Sequence, residues 1–357
     1  MSERFAVAGM QAVSRWMSDT SKADEVIKKN VKGHLSMLDM LPAGANPVGG
    51  YPKFVCYPEF SIQGVPIGDL SWGGNTWQTF LKAVAVDLPG EVTDEFGKKT
   101  AEKGVYAQAC VWERAPSFGP DIFFESVFIT GPSGKLEYIR RRTASLTPRM
   151  AATPGDVYTE YLKKYGPDPV DAFFPVLETP YGGVGGMMCC ELSSPEVMRG
   201  LVLNGAELVM HSTSEPPSQF MDGKYFRDME RRVRAHENKA YLLSANIGLI
   251  EADVPFPSHR DRGHTELIDY NGNTVCVIEA PGESILNSPV DMGLLRRTRD
   301  ETVGFYWSSL RTKVYSHIYE RQIWPVDTAG RIPYNAEGEE QLKKEVREDL
   351  KKRKIFH

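Results

Sequence analysis

Short apolar runs alternate with amphipathic stretches along the 357-residue chain. Phe5–Val13 is a first apolar run and predicts a strand. Lys22–Leu41 has helical spacing, with Val26, Ile27, Val31, Leu35 and Leu38 on one side. Phe54–Tyr57 is a short apolar run that ends at Pro58-Glu59. Thr93–Lys103 predicts a polar amphipathic helix, and Val105–Trp112 a strand. Phe123–Thr130, the Gly131-Pro132-Ser133-Gly134 turn and Lys135–Arg142 predict a hairpin.

The second half repeats this style. Gly182–Cys189 is a strand of small residues, and its glycines read as close strand packing because no Lys-Ser/Thr ending makes them a phosphate loop. Ser194–Asn204 predicts a helix with Pro195 in its first turn. Ala206–His211 is a buried strand. Lys224–Lys239 is a charged helix whose inner stripe is expected to be Phe226, Met229 and Val233. Ala240–Asn246 is a further strand, and His264–Tyr270 with Thr274–Glu279 forms a second hairpin around Asn271-Gly272-Asn273. Strand–helix alternation interleaved with hairpins predicts an α/β sandwich. From about Asp300 aromatic residues (Phe305, Tyr306, Trp307, Tyr315, Tyr319, Trp324) precede a charged run, Glu337–Lys354. The aromatics are expected to pack on a surface of this subunit or a partner, and the charged run to be a solvated helix or frayed tail.

Composition narrows the function. Hydrophobic residues make up 41% and charged residues 25% of the chain, which argues against wholesale disorder. With 47 acidic and 42 basic side chains the formal charge is −5, the wrong sign for a nucleic-acid grip. No apolar window reaches the roughly 18 residues of a membrane span, and the N-terminal residues read as a strand, not a secretory leader. The 5 cysteines fall mostly in apolar runs without CxxC spacing. No disulfide framework or zinc site is therefore expected, and a cytoplasmic setting is.

Three segments carry the candidate chemistry. In Phe54-Val55-Cys56-Tyr57-Pro58-Glu59-Phe60-Ser61-Ile62-Gln63-Gly64 a glutamate follows directly on a strand and a proline. Strand ends facing a cleft are where α/β proteins place functional groups. A helix cap or structural ion pair is the plainer reading of Glu59 alone. In Gly185-Gly186-Met187-Met188-Cys189-Cys190-Glu191-Leu192-Ser193-Ser194-Pro195-Glu196 a strand ends in a cysteine just before a helix. Backbone N–H groups at such a turn activate a thiol and stabilise an oxyanion. The plainer reading is a pair of buried cysteines, of which only one faces a given cleft. Arg140-Arg141-Arg142, at the end of a hairpin strand, reads in isolation as a solvated patch.

In this order and spacing these segments resemble the nitrilase (carbon–nitrogen hydrolase) superfamily, specifically its aliphatic amidase and formamidase branch. Pro58-Glu59-Phe60-Ser61-Ile62-Gln63-Gly64, Met188-Cys189-Cys190-Glu191 with Pro195-Glu196 and Arg199, Gly205-Ala206-Glu207-Leu208-Val209, Glu237-Asn238-Lys239-Ala240-Tyr241 with Ala245-Asn246, and Gly263-His264-Thr265 carry the resemblance. It divides the chain at residues 1–290, the hydrolase domain, and 291–357, an extension expected to pack between subunits. It implies a four-layer αββα sandwich, a Glu–Lys–Cys triad, no cofactor or metal, and a homo-oligomer built on a dimer. Carried over, Glu59 is the general base and Cys189 the nucleophile. Counted from Gly134-Lys135-Leu136, the lysine position falls on Arg142, and no lysine lies between Lys135 and Lys163. The branch's second glutamate falls on Met150. Glu215 is the candidate replacement, with Cys190, Ser212, Thr213 and His264 as further pocket candidates.

The physics of that site is definite. A thiol attacks an amide carbonyl only as its proton leaves, and Glu59, sheltered from water, is suited to take that proton and return it to the leaving amine. Arg142 stabilises an oxyanion as a cation and donor, beside the Cys190 N–H, but does not release a proton. Its planar fork narrows the pocket or favours a substrate with a carboxylate or another planar acceptor. The expected activity is hydrolysis of a small non-peptide amide through an acyl-thioester. A carbamoyl or ureido hydrolase and a catalytically silent binding protein are the alternatives.

Overall fold

The structure is a computed structural model that describes residues 3–41, 50–67, 74–145, 150–216, 226–254, 262–303 and 307–356. The chain opens with β1 (Arg4–Gln11), β2 (Val13–Trp16), α1 (Ala23–Asp39), β3 (Pro52–Cys56), α2 (Gly74–Val84) and α3 (Glu91–Lys103). β4 (Tyr106–Arg114), β5 (Phe123–Thr130) and β6 (Leu136–Arg141) form a meander, followed by α4 (Tyr158–Tyr165), α5 (Pro169–Phe173) and β7 (Leu177–Thr179). β8 (Gly182–Met188), α6 (Pro195–Leu203), β9 (Leu208–Thr213), α7 (Phe226–Asn238) and β10 (Tyr241–Asn246) alternate regularly. β11 (Leu249–Ala252), β12 (Thr265–Ile268), β13 (Thr274–Ile278) and β14 (Ser284–Asp291) precede α8 (Met292–Thr302), α9 (Thr312–Tyr319) and α10 (Ala336–Lys352).

Two six-stranded sheets result, in the orders β14–β1–β3–β4–β5–β6 and β13–β12–β10–β9–β8–β7. β1, β3 and β4 run parallel in the first, and β8, β9 and β10 in the second. Parallel neighbours need crossovers, and the crossover helices cover the outer faces. Phe5, Val7, Phe54 and Val127 of one sheet share a core with Val184, Met210, Leu243 and Leu267 of the other. α1, α2 and α3 bury Ile27, Val31, Trp77, Phe80 and Phe96 against the outer face of the first sheet. α6 and α7 bury Val197, Met198, Leu201 and Ala235 against the second. The result is the mixed α/β, four-layer αββα sandwich. Burial on both faces explains why β1 is a nearly continuous apolar run from Phe5 to Met10. The sheets meet so closely that a Cβ on Gly186 would lie 2.4 Å from Gln108 Oε1.

A polar seam sets the strand ends level. Met188 pairs with Ser212 and Thr213 with Asn246 across β8, β9 and β10. From the other sheet Gln108 Nε2 donates to Met210 O and Ser212 Oγ, both at 3.0 Å, and Ser212 Oγ donates to Tyr57 O at 2.7 Å. The segments that leave β3, β8 and β9 therefore start from one place.

Several expectations are corrected. The first apolar run is two strands, broken at Ala12, whose carbonyl accepts the Gly248 N–H. α7 is turned relative to its hydrophobicity. Phe226, Met229 and Val233 are exposed, while Arg227, Arg231, Ala235 and Asn238 face inward. Both sets have helical spacing, and the buried carboxylates Glu215 and Glu266 select the arginine phase. Arg140, Arg141 and Arg142 are buried, not solvated. The charged run is a docked helix, α10, with Leu342 and Leu350 buried. Trp307 packs on the α6 core while Tyr315 and Tyr319 are exposed, and Phe305 and Tyr306 lie outside the described residues. No helix among the described residues is long and apolar enough to cross a membrane.

Candidate active site

Glu59 sits in the turn that leaves β3. The Tyr57 N–H donates to Gln108 O at 3.0 Å and the Glu59 N–H to Thr213 O at 3.2 Å, which ties the turn to both sheets. Gln63 donates to Val84 O and Trp112 O, and accepts the Trp112 N–H at 3.0 Å. Ser61 Oγ closes the turn on Pro58 O at 2.8 Å. These bonds hold Phe60 at a φ of 55°, a costly left-handed conformation for a bulky residue. The Glu59 carboxyl is fully buried and accepts from Ser214 Oγ at 2.7 Å.

The three arginines each meet a buried carboxylate. Arg140 makes a two-pronged pair with Glu191, at 2.7 and 2.8 Å. Arg141 does the same with Glu113, at 2.9 and 2.6 Å, and lies over the ring of Tyr165. Arg142 follows β6, and its backbone N–H donates to Glu125 O at 2.9 Å. Its Nε donates to Ala144 O at 3.0 Å, and its Nη1 to Glu59 at 3.5 Å and to Glu125. Its Nη2 meets Cys190 Sγ. A guanidinium has five N–H groups, so these four contacts leave one for a bound molecule.

Cys189 opens a short 3₁₀ turn at the end of β8, at a φ of 36°. Strain of this kind persists only where neighbours overdetermine it. Glu191, clamped by Arg140, accepts the N–H groups of Met188 at 3.1 Å and Thr143 at 2.8 Å. His211 Nε2 donates to Cys189 O at 3.0 Å, so its Nδ1 accepts from Ser244 Oγ at 2.9 Å. Burial, then Arg231, holds His211 neutral, with its pKa well below the usual imidazole value. The two cysteines divide as expected, although they lie in the turn and not in the strand. Cys190 is buried against Arg142, and Cys189 is half-buried.

The charges explain what this site does with a proton. Burial raises the Cys189 thiol well above its ordinary pKa; Glu59, Cys190 and Glu215 push the same way and Arg142 opposes them. Cys189 therefore rests as a thiol. Glu59 is raised well above the usual carboxylate range, by burial first and then by the Glu125 charge against it. Two carboxyls beside one guanidinium are neutral overall when they share one proton. Burial works against the Arg142 charge, but Glu125, Cys190 and Glu59 outweigh it. A base of high proton affinity next to a reluctant thiol is a matched pair, because each unit of mismatch costs about 1.4 kcal/mol.

Glu125 is the residue that sequence reasoning missed. It occupies the place beside Glu59 and Arg142 that Glu215 was expected to fill, and Met150 is buried in the apolar core. Glu215 instead pairs with Arg231 and, at 3.3 Å, with Arg227. The signal for Glu125 was a carboxylate inside a strand buried at every position, which must be paired. Ser212 belongs to the seam between the sheets, and Thr213 offers its carbonyl to Glu59. His264 lies 3.7 Å from Glu266, with its pKa lowered to about 4 by burial and then Arg231. Among the described residues Asp228, His264 and Glu266 have ligand atoms within 4.8 Å of one another. Arg231 already holds Glu266 at 2.6 Å, so this trio reads as part of an ion-pair network.

The sequence pattern of the carbon–nitrogen hydrolase family matches residues 10–300. A probable nitrilase of Schizosaccharomyces pombe is 29% identical over 134 residues, 37% of this chain and 46% of that protein. A citrullinase of Francisella tularensis is 28% identical over 156 residues, 43% of this chain and 52% of that protein. The chain thus spans about half the length of these two relatives. Among solved structures Nit3 of Saccharomyces cerevisiae, a member of branch 10 of the nitrilase superfamily, matches with a TM-score of 0.61 at 16% identity, over 84% of this chain and 94% of that one. At that identity the likeness is one of fold.

Proposed function

Because the chain belongs to the carbon–nitrogen hydrolase family, we propose that it hydrolyses a small non-peptide amide through a thioester at Cys189. The observation that carries this reading is the Arg142 guanidinium, which faces Glu59 and Glu125 on one side and Cys190 on the other. Cys189 Sγ attacks the carbonyl carbon while Glu59 accepts the thiol proton. The oxyanion forms between the Cys190 N–H and the remaining Arg142 N–H, each such donor being worth about 3–4 kcal/mol. Glu59 then returns the proton to the leaving nitrogen, the C–N bond breaks, and ammonia or an amine departs. Water, deprotonated by Glu59, attacks the thioester carbon, and the released thiolate takes the proton back. Arg142 holds its proton throughout.

A ureido or carbamoyl substrate is the second reading. The planar fork of Arg142 suits a planar, doubly accepting group, and the likeness to a citrullinase favours it. The same reading keeps a homo-oligomer built on a dimer, for which the outward Phe226, Met229 and Val233 offer an apolar face. Light scattering that showed a monomer would count against that part alone.

Mass spectrometry of acyl-Cys189 across small amides, carbamoyl compounds and nitriles tests the reading. Carbon dioxide among the products marks a carbamoyl substrate. Cys189→Ala should cost on the order of 10⁴-fold or more in turnover with the fold intact, and a variant that stays active removes Cys189 as nucleophile. Arg142→Lys should raise turnover of simple amides relative to ureido compounds. An unchanged ratio would mean that the fork does not choose the substrate.

A further inference from the structure

Among the described residues Arg140, Arg141, Arg142, Arg227, Arg231 and Arg262 stand around these strand ends, and all but Arg262 are ion-paired. Arg140, Arg141 and Arg142 meet Glu191, Glu113 and the Glu59–Glu125 couple, and Arg227 and Arg231 meet Glu215. Arg262 has no carboxylate within ion-pair distance among the described residues. Its Nη1 donates to Ser214 O, and its Nε is buried without a hydrogen-bond partner. Ser214 is also the residue whose hydroxyl holds the Glu59 carboxyl, so this cation is anchored one residue's width from the proposed base.

The anchor is rigid. The Arg262 N–H donates to Gly248 O at 3.1 Å, and Asn246 Nδ2 bonds both Gly263 O at 2.5 Å and Glu215 O at 2.9 Å. Gly263 takes a φ of +136°, where any Cβ would also crowd Glu279 O at 2.9 Å. A half-buried guanidinium held by one carbonyl, with no carboxylate in ion-pair distance among the described residues, is only weakly stabilised by its own protein. Burial lowers its proton affinity, and only the more distant acidic groups of Cys189, Glu59 and Glu215 act against that. Desolvating a cation without a partner is costly, and a bound anion removes the cost.

We infer that Arg262 is a specificity-determining residue that pairs with a carboxylate on the substrate, so that this site takes anionic amides in preference to neutral ones. The inference rests on the hydrolase reading of Cys189 and names the substrate class of that site. The carboxylate can belong to the acyl half, as in a monoamide of a dicarboxylic acid, or to the leaving half, as in an N-carbamoyl amino acid. Both present the same planar acceptor to the free edge of the guanidinium.

The test compares kcat/KM for matched pairs. Glutaric monoamide against its methyl ester probes the acyl half, and N-carbamoylglycine against its methyl ester probes the leaving half. The charged member of one pair should be preferred, and Arg262→Gln should cut that preference by about 30-fold or more. Arg262→Lys should restore part of it, which a merely structural loss would not allow. Equal rates for charged and neutral members, or a preference untouched by Arg262→Gln, overturns the inference and leaves the hydrolase reading standing. Should no substrate turn over, protection of Cys189 from iodoacetamide gives an independent readout. Glutarate should protect better than glutaramide, and only while Arg262 is present. Equal protection by the two, or none, overturns the inference as well.

Discussion

At the scale of single residues the proposed chemistry turns on one carboxyl being a better base than carboxyls ordinarily are. After burial, the largest influence raising Glu59 is the charge of Glu125. Replacing Glu125 by Gln removes that charge and leaves Arg142 to act on Glu59 with less competition. Both changes lower the Glu59 proton affinity. The acid limb of the pH profile of kcat/KM reports ionisation of the base in the free protein, so Glu125→Gln should move that limb to lower pH and reduce the maximum rate. A limb that stays in place or moves up would show that Glu125 does not set the base. Glu59 and Cys189 stood out in the sequence as residues that follow apolar runs. That placement alone fits a structural ion pair and a buried cysteine equally well, and only the resemblance of both segments to the nitrilase superfamily singled them out. Glu125 was not singled out, because a carboxylate within the apolar run Phe123–Thr130 signals that it is paired but not with which residues. Arg262 was equally silent, since an arginine with no carboxylate in ion-pair distance among the described residues looks in the sequence like any other.

At the scale of elements the turn that carries Cys189 is held from outside. Glu191 belongs to that turn, and Arg140 belongs to β6 in the other sheet, so their pair ties the two sheets across the site. Both are almost wholly buried. Removing one partner leaves an uncompensated charge, at a cost of about 3–5 kcal/mol. Arg140→Met and Glu191→Gln should each destabilise on that scale in urea unfolding, and the double variant by clearly less than the sum. Additivity to within about 0.5 kcal/mol would mean that the pair is not coupled. The Arg140-Arg141-Arg142 run was misread as solvated because three cations in a row say nothing of three carboxylates on β4, β5 and the Cys189 turn. α7 fails for the same reason. Its apolar stripe was the stronger signal, but a helix turns toward whichever neighbours gain most, and here those are Glu215 and Glu266. β14 also escaped notice. Its polar residues and Pro289 suit a sheet edge, and only its register against β1, from Arg4↔Asp291 to Gln11↔Ser284, makes it a strand.

At the scale of the molecule, the α/β sandwich was readable because strand–helix alternation interleaved with hairpins marks that class, while the four-layer αββα order came from the family resemblance. How the last residues close on that sandwich was not readable. The Asp327 N–H donates to Gly155 O at 2.9 Å and the Ala329 N–H to Asp156 O at 3.0 Å, while Asp327 caps Thr159. Tyr334 enters the core that α1 and α2 share, 6.3 Å from the ring of Phe123. α10 then buries Leu342 and, with Trp324, walls a cleft of about 440 Å³. Thr143, Ala144 and Ser145 also line it, and Ala144 O accepts from Arg142 Nε. The C-terminal helix and the segment that positions the proposed oxyanion cation thus line the same cleft. Leu342→Ala should cost α10 about 2–5 kcal/mol of docking energy. Because α10 can open without unfolding the sheets, that loss should appear as local amide exchange and not as an equal loss of global stability. Exchange should rise over residues 336–352 and also over 143–145, and kcat should fall as Arg142 loses its fixed carbonyl. If exchange rises in α10 alone and kcat is unchanged, the helix rides on the sandwich without supporting the site.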